Sequence, residues 1–143
     1  MSSNVNSDKS SMKTVRVVAA IIQRDGKFFA TQRKGGEFDG MWEFPGGKIE
    51  PGETPRQALH REIAEELEVA IEIISPIMTI EYDYPSFHLS MECYLCALAA
   101  DTAPHLNVHT AGRWITCDEA ASMSFLPADD ELIATLAKIS SSR

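Results

Sequence analysis

Residues Gly46 to Val69 read GGKIEPGETPRQALHREIAEELEV. Thr54 followed by Pro55 and Gln57 is a helix start: an N-cap, a proline at the first helical position, and a glutamine placed to close a capping box. Leu59, Ile63 and Leu67 recur at four-residue spacing and supply an apolar stripe, so a helix is predicted over 55–68. Glu62, Glu65 and Glu66 then share another face, at i, i+3 and i+4. Carboxylates at these spacings repel, by a few tenths of a kcal/mol per pair (~0.2–0.5). A hard divalent cation relieves that repulsion, and magnesium favours oxygen ligands, few protein carboxylates and phosphate oxygens. Read alone, E-x-x-E-E is equally a solvated acidic face. The flanks favour the cation: Gly46-Gly47 lets backbone approach a ligand, Gly52 permits a tight loop, Glu53 precedes the helix, and Arg61 adjoins the cluster. Arg61 is placed to pair with Glu53 or to orient Glu62 through a bidentate contact.

Outward from this segment, 14–22 (TVRVVAAII) is β-branched and apolar, a buried strand. Asp25-Gly26 is a hairpin turn, and 27–33 returns as a strand. A glycine-containing loop (34–40) leads to a short strand at 41–44, after which Pro45-Gly46-Gly47 is expected to break regular structure. Downstream, 69–83 has strand character that Ser75-Pro76 is expected to interrupt. Tyr84-Pro85-Ser86 reads as a turn. Strands follow at 87–98 and 113–116, then a short helix at 118–123 capped from Cys117-Asp118, and a last helix at 129–138. The pattern is an α/β domain with a mixed sheet and packed helices. Residues 1–12 are polar and serine-rich, a disordered tail. Residues 13–143 are expected to form a single domain.

The formal net charge of −8 opposes binding of long nucleic acid, which selects a basic face. A free nucleotide escapes that objection, because divalent cations accompany it. No apolar run suits a membrane span, and the expected state is a monomer or homodimer. Three cysteines, Cys93, Cys96 and Cys117, fit a reducing cytoplasm. Cys93 and Cys96 are three apart in a β-like run and so face opposite sides, which favours buried free thiols over a zinc site.

The segment resembles the Nudix box, G-x5-E-x7-R-E-U-x-E-E-x-G-U with U a bulky aliphatic residue. Gly47, Glu53, Arg61, Glu62, Ile63, Glu65, Glu66 and Val69 match in register, eight positions over 23 residues. Glu68 departs, standing where the family has a glycine that relieves a left-handed helix end. VVAAIIQRDGK, Gln32-Arg33, MWEFPGGKIEPGET and FLPADDELIATL extend the resemblance to the MutT branch, nucleoside triphosphate pyrophosphohydrolases that include 8-oxo-dGTP and CTP hydrolases. It covers roughly 15–138 and implies a Nudix-type α/β/α sandwich.

The resemblance implies that Glu62 and Glu66 bind magnesium, that Glu65 assists, and that the Gly47 carbonyl completes the sphere; manganese accepts the same oxygen-rich set. Glu53 supports the site. Arg33 contacts a phosphate, although a surface strand arginine reads the same. A metal-activated water attacks a phosphorus of the diphosphate, and one carboxylate, Glu62, takes the proton. The family often carries a further glutamate in the loop before Trp114; here Val108 stands there, beside His109.

For the base, the matching positions are Tyr84, Phe87 and Asp129; Phe44, in MWEFPGG, is a further expected substrate-binding residue. Tyr84 is either a stacking surface or a core aromatic, and Asp129 either a reader of the base or a helix cap. An ionised Asp129 only accepts hydrogen bonds, which suits the cytosine amino group or the N–H edge of guanine. The expected activity releases a nucleoside monophosphate and pyrophosphate from oxidised guanine or cytosine triphosphates. The alternatives are hydrolysis of an ADP-sugar or dinucleoside polyphosphate, and a non-catalytic nucleotide-sensing module.

Overall fold

A computed structural model of the chain describes residues 12–99, 101–106 and 111–141. The expected tail up to residue 11, and the loop positions Val108 and His109, lie outside the described residues. Among the described residues, seven strands, β1 (Lys13–Arg24), β2 (Lys27–Gln32), β3 (Trp42–Glu43), β4 (Gly46–Lys48), β5 (Ile71–Tyr84), β6 (Phe87–Leu98) and β7 (Ala111–Ile115), accompany three helices. These are α1 (Pro55–Leu67), α2 (Cys117–Ala121) and α3 (Asp129–Ser141). The sheet runs β3-β2-β1-β6-β5, with β4 also paired to β1 and β7 to β2. β1 and β6 are parallel and the other pairs antiparallel, so the sheet is mixed.

Alternation along β1 explains the layers. Val18, Ala20 and Ile22 point into one apolar cluster with Leu59, Ile63 and Leu67 of α1, whereas Ala19 and Ile21 point into another with Leu132 and Leu136 of α3. Side chains of a strand alternate between faces, so an uninterrupted apolar run requires cover on both sides, and α1 and α3 provide it. The result is the α/β/α sandwich. Cys93 belongs to the α3-side cluster and Cys96 to the α1-side cluster. Both thiols are free and buried, and burial pushes each up to about 12.

Three local readings are corrected. Gly46 and Gly47 do not break the sheet: they form β4, opposite Ala19 and Val18. A Cβ on Gly46 would collide with the Val18 carbonyl, so glycine here allows two strands to approach closely. Ser75-Pro76 does not interrupt β5, whose pairing with β6 absorbs the proline through register shifts at Ile73/Ser75 and Pro76/Met78. The N-cap of α2 is Thr116, not Cys117-Asp118, with Glu119 completing a capping box. Other features hold closely. Asp25 and Gly26 both have positive φ in the β1–β2 turn, and Thr54 and Gln57 form the capping box of α1.

Candidate active site

Helix α1 is anchored on its apolar stripe, and its other side faces β4. Arg61 lies at the centre of the polar contacts there. Its Nε and Nη2 donate to the two oxygens of Glu53 at 2.6 and 2.9 Å. Nη1 donates to Glu62 at 3.0 Å and to Glu65 at 3.3 Å, and Nη2 reaches the Lys48 carbonyl at 3.0 Å. The two contacts offered as alternatives by the sequence, to Glu53 and to Glu62, therefore coexist. The Arg61 hydrogen bonds, joined by the Glu50 N–H, hold the Glu53 carboxyl down at about 2. Its partners raise the Arg61 guanidinium in turn.

Glu62 and Glu66 sit against the two consecutive glycines of β4. A Cβ on Gly47 would fall on the Glu62 carboxylate, while Glu66 accepts from the Gly46 N–H. Burial raises Glu62, against the lowering influence of Arg61. Glu66 is pushed up to about 8, first by burial and then by the negative charges of Glu43 and Glu62. Glu65 is exposed and turns toward Arg61. The three glutamates of the helix thus divide into two against the glycines and one outside.

Among the described residues, no three acidic or imidazole groups converge enough to hold an ion unaided. The oxygen-only donors of Glu62 and Glu66, beside a glycine cradle that any side chain would fill, nevertheless fit a divalent cation that completes its shell with water and phosphate oxygens.

Beyond Glu66, a cavity of about 240 Å³ opens on the α3 side of the sheet. Its wall includes Arg33, Phe44, Gly47, Tyr84, Phe87 and Asp129, together with Glu66 itself. All the residues that the resemblance assigns to the substrate therefore meet on one surface, next to the acidic helix. Tyr84 and Phe87 flank the Pro85-Ser86 turn and stack, with centroids 5.0 Å apart and planes at 23°. Tyr84 is buried in the core, as the second of its two readings expects, and it also lines the cavity; its hydroxyl accepts from the Ala128 N–H at 3.3 Å. Phe44 packs on Phe125.

Asp129 opens α3 and is only 3% exposed. Burial, then the Glu43 and Asp130 charges, pushes its carboxyl up to about 8. This corrects the treatment of Asp129 as an ionised acceptor. Near neutral pH the acid form is well populated, and that form donates as well as accepts. Glu43 was not singled out in the sequence. It lines the same cavity, accepts from Arg33 Nε at 3.1 Å, and is itself raised by burial. Its signal was its place between Trp42 and Phe44 in a short strand, where a charge on a pleated, half-buried surface needs a partner.

A family model for the NUDIX domain matches residues 17–135. The chain belongs to the Nudix family. It is 33% identical to a CTP pyrophosphohydrolase of Escherichia coli (strain K12), an alignment covering 92% of this chain and 98% of that protein. It is 31% identical to an 8-oxo-dGTP diphosphatase of the same organism, over 90% and 100% of the two chains. The solution structure of the E. coli ORF135 protein matches with a TM-score of 0.79 at 33% identity, covering 94% of this chain and 96% of that one. These likenesses place this Nudix hydrolase in the MutT branch, and the family depends on divalent metal.

Proposed function

We propose that this Nudix hydrolase is a magnesium-dependent (deoxy)nucleoside triphosphate pyrophosphohydrolase, releasing a nucleoside monophosphate and pyrophosphate. The observation that carries the proposal is the position of Glu66. It belongs to the carboxylate pair on α1 and also lines the aromatic cavity, so a base held there places its phosphates at the acidic helix. The names of the two E. coli relatives support the same class of substrate.

Glu62 and Glu66 would hold the cation, with the Gly47 carbonyl beside them and Glu65 at the edge. The bound metal would activate water and neutralise the leaving pyrophosphate. Glu62 is the proton acceptor; Arg61 orients it, and Glu53 fixes Arg61. Arg33, fixed by Glu43, supplies a positive charge to a phosphate. Phe44, Tyr84 and Phe87 form apolar walls for a base, and Asp129 hydrogen-bonds its edge. With its acid form populated, Asp129 presents a donor and an acceptor together, which suits the lactam edge of an oxidised guanine as well as a cytosine.

The test is turnover of 8-oxo-dGTP, dGTP, CTP, dCTP, ADP-ribose and a dinucleoside polyphosphate with magnesium, quantifying pyrophosphate and nucleotide products. Monophosphate plus pyrophosphate, lost in Glu66→Gln, is expected. Turnover of ADP-ribose or the dinucleoside alone would overturn the substrate class. Binding without any turnover would make the chain a sensor.

A further inference from the structure

A second cleft adjoins the cavity, and nothing described so far uses it. It shares Arg33, Gly47 and Phe87 with the cavity and runs on past Lys48 and Ser86 to Lys13. The two spaces differ in charge. Glu43, Glu66 and Asp129 line the cavity, whereas Lys13, Arg33 and Lys48 are the charged residues lining the cleft, and no carboxylate is among its lining residues. In a chain of net charge −8, three cations along one cleft wall form a local exception.

Strand register shows that the two lysines face the same way. Lys13 pairs with Phe87 across β1–β6, and Val17 pairs with Lys48 across β1–β4. Directly paired residues lie on one face, and so do residues 13, 15 and 17 of one strand. Gly47, one residue before Lys48, presents its other side to Glu62, so Lys48 projects away from α1 and toward the cleft. Four residues of strand separate Lys13 from Val17, about 13 Å, a gap that two extended lysine side chains can close on one small anion. Among the described residues, no ion pair engages either lysine. Arg33, by contrast, is already tied to Glu43.

We infer that this cleft receives the terminal phosphates of the substrate, with Lys13 and Lys48 as the residues that distinguish a triphosphate from a diphosphate. The inference rests on the pyrophosphohydrolase reading above and adds a specificity determinant to it. The reacting phosphorus lies beside Gly47, where cavity and cleft meet. The part of the substrate that leaves as pyrophosphate extends into the cationic cleft, and the base occupies the carboxylate-lined cavity. A tail one phosphate shorter does not reach Lys13.

The experiment compares wild type with Lys13→Ala, Lys48→Ala, the double variant and the double arginine variant. Each is assayed with magnesium on the best nucleoside triphosphate and on its diphosphate, and pyrophosphate binding is followed separately by calorimetry. Exposed charge contacts, as at Lys13 and Lys48, are worth about 0.2–1 kcal/mol each in water and more against a multiply charged phosphate, so the double alanine variant is expected to lose roughly 20-fold in kcat/KM on the triphosphate. The loss on the diphosphate should stay within about threefold, pyrophosphate binding should weaken in parallel, and the arginine variant should recover most of both. Equal losses on the two nucleotides, or pyrophosphate binding unchanged in the double variant, would overturn the inference. If wild type hydrolyses no triphosphate, the pyrophosphohydrolase reading fails on its own, and calorimetry alone then decides the cleft: weaker pyrophosphate binding in the double variant supports it and unchanged binding rejects it.

Discussion

Replacing Arg61 by lysine would keep the charge and lose the fork. Arg61 serves Glu53 through two nitrogens while reaching Glu62 and the Lys48 carbonyl, and a lysine cannot span that set. Loss of a group that orients a metal ligand typically costs 10–100-fold. Arg61→Lys is therefore expected to lower kcat by about that factor while the far-ultraviolet circular dichroism stays native. A kcat within twofold of wild type would remove Arg61 from the positioning role.

Asp129 permits a prediction about stability. Its folded carboxyl lies at about 8, above its ordinary 3.8. A group raised on folding contributes stability that is complete below its unfolded value and is lost as pH rises through the folded one. For Asp129 that window runs from about pH 4 to about pH 8. An amide has no charge to bury, so Asp129→Asn should flatten the decline. The variant is expected to be more stable than wild type at pH 8, by roughly 1–3 kcal/mol, and close to it at pH 4. Urea denaturation at the two pH values checks this; parallel pH profiles would mean that Asp129 ionises freely.

Among the elements, α1 carries a local conflict at its end. Glu68 is the C-cap, with φ 54° and ψ 39°, the left-handed conformation that glycine adopts without a Cβ penalty. The departure of Glu68 from the Nudix box thus keeps the backbone geometry that the box requires. Glu68→Gly should relieve about 1 kcal/mol, read as a higher Tm with activity unchanged, since Glu68 lies outside the carboxylate pair. Gly47 lies at the opposite extreme. A side chain there meets the Glu62 carboxylate, so Gly47→Ala should displace Glu62 and reduce turnover at least ~100-fold, the scale of a lost general base. A fully active Gly47→Ala enzyme would show that Glu62 need not rest against β4.

Over the whole molecule, the site gathers negative charge that folding must bury. Glu43, Glu66 and Asp129 are all raised by burial around one cavity, opposed chiefly by Arg33. A ligand bound only by the folded chain stabilises it by mass action. Magnesium should therefore raise Tm, more at pH 8 than at pH 6 because protons compete for the same carboxylates, and Glu66→Gln should abolish most of the increment. Thermal scans across magnesium concentration and pH measure both; an increment independent of pH would place the cation away from Glu66.

The helix, its caps, its acidic face and its membership of the Nudix box were legible in one run of sequence, because spacing along a helix dictates which side chains share a face. The apolar run of β1 likewise required helices on both sides. Proline and glycine misled the reading at Ser75-Pro76 and Gly46-Gly47, because a bulge and a close strand pairing are decided by the partner strand, which local propensity does not contain. Only the tertiary structure could bring Glu43, Glu66 and Asp129 around one cavity and set Lys13 beside Lys48 on another wall. Their protonation was beyond the sequence for the same reason: a carboxyl's pKa depends on burial and on charges from distant segments. Sequence by itself determined the chemistry available to this protein, through the residues of one helix and the loop before it. The packing of β3, β4, the β5–β6 hairpin and α3 decided where that chemistry meets a substrate, since a cavity exists only where separate elements enclose it.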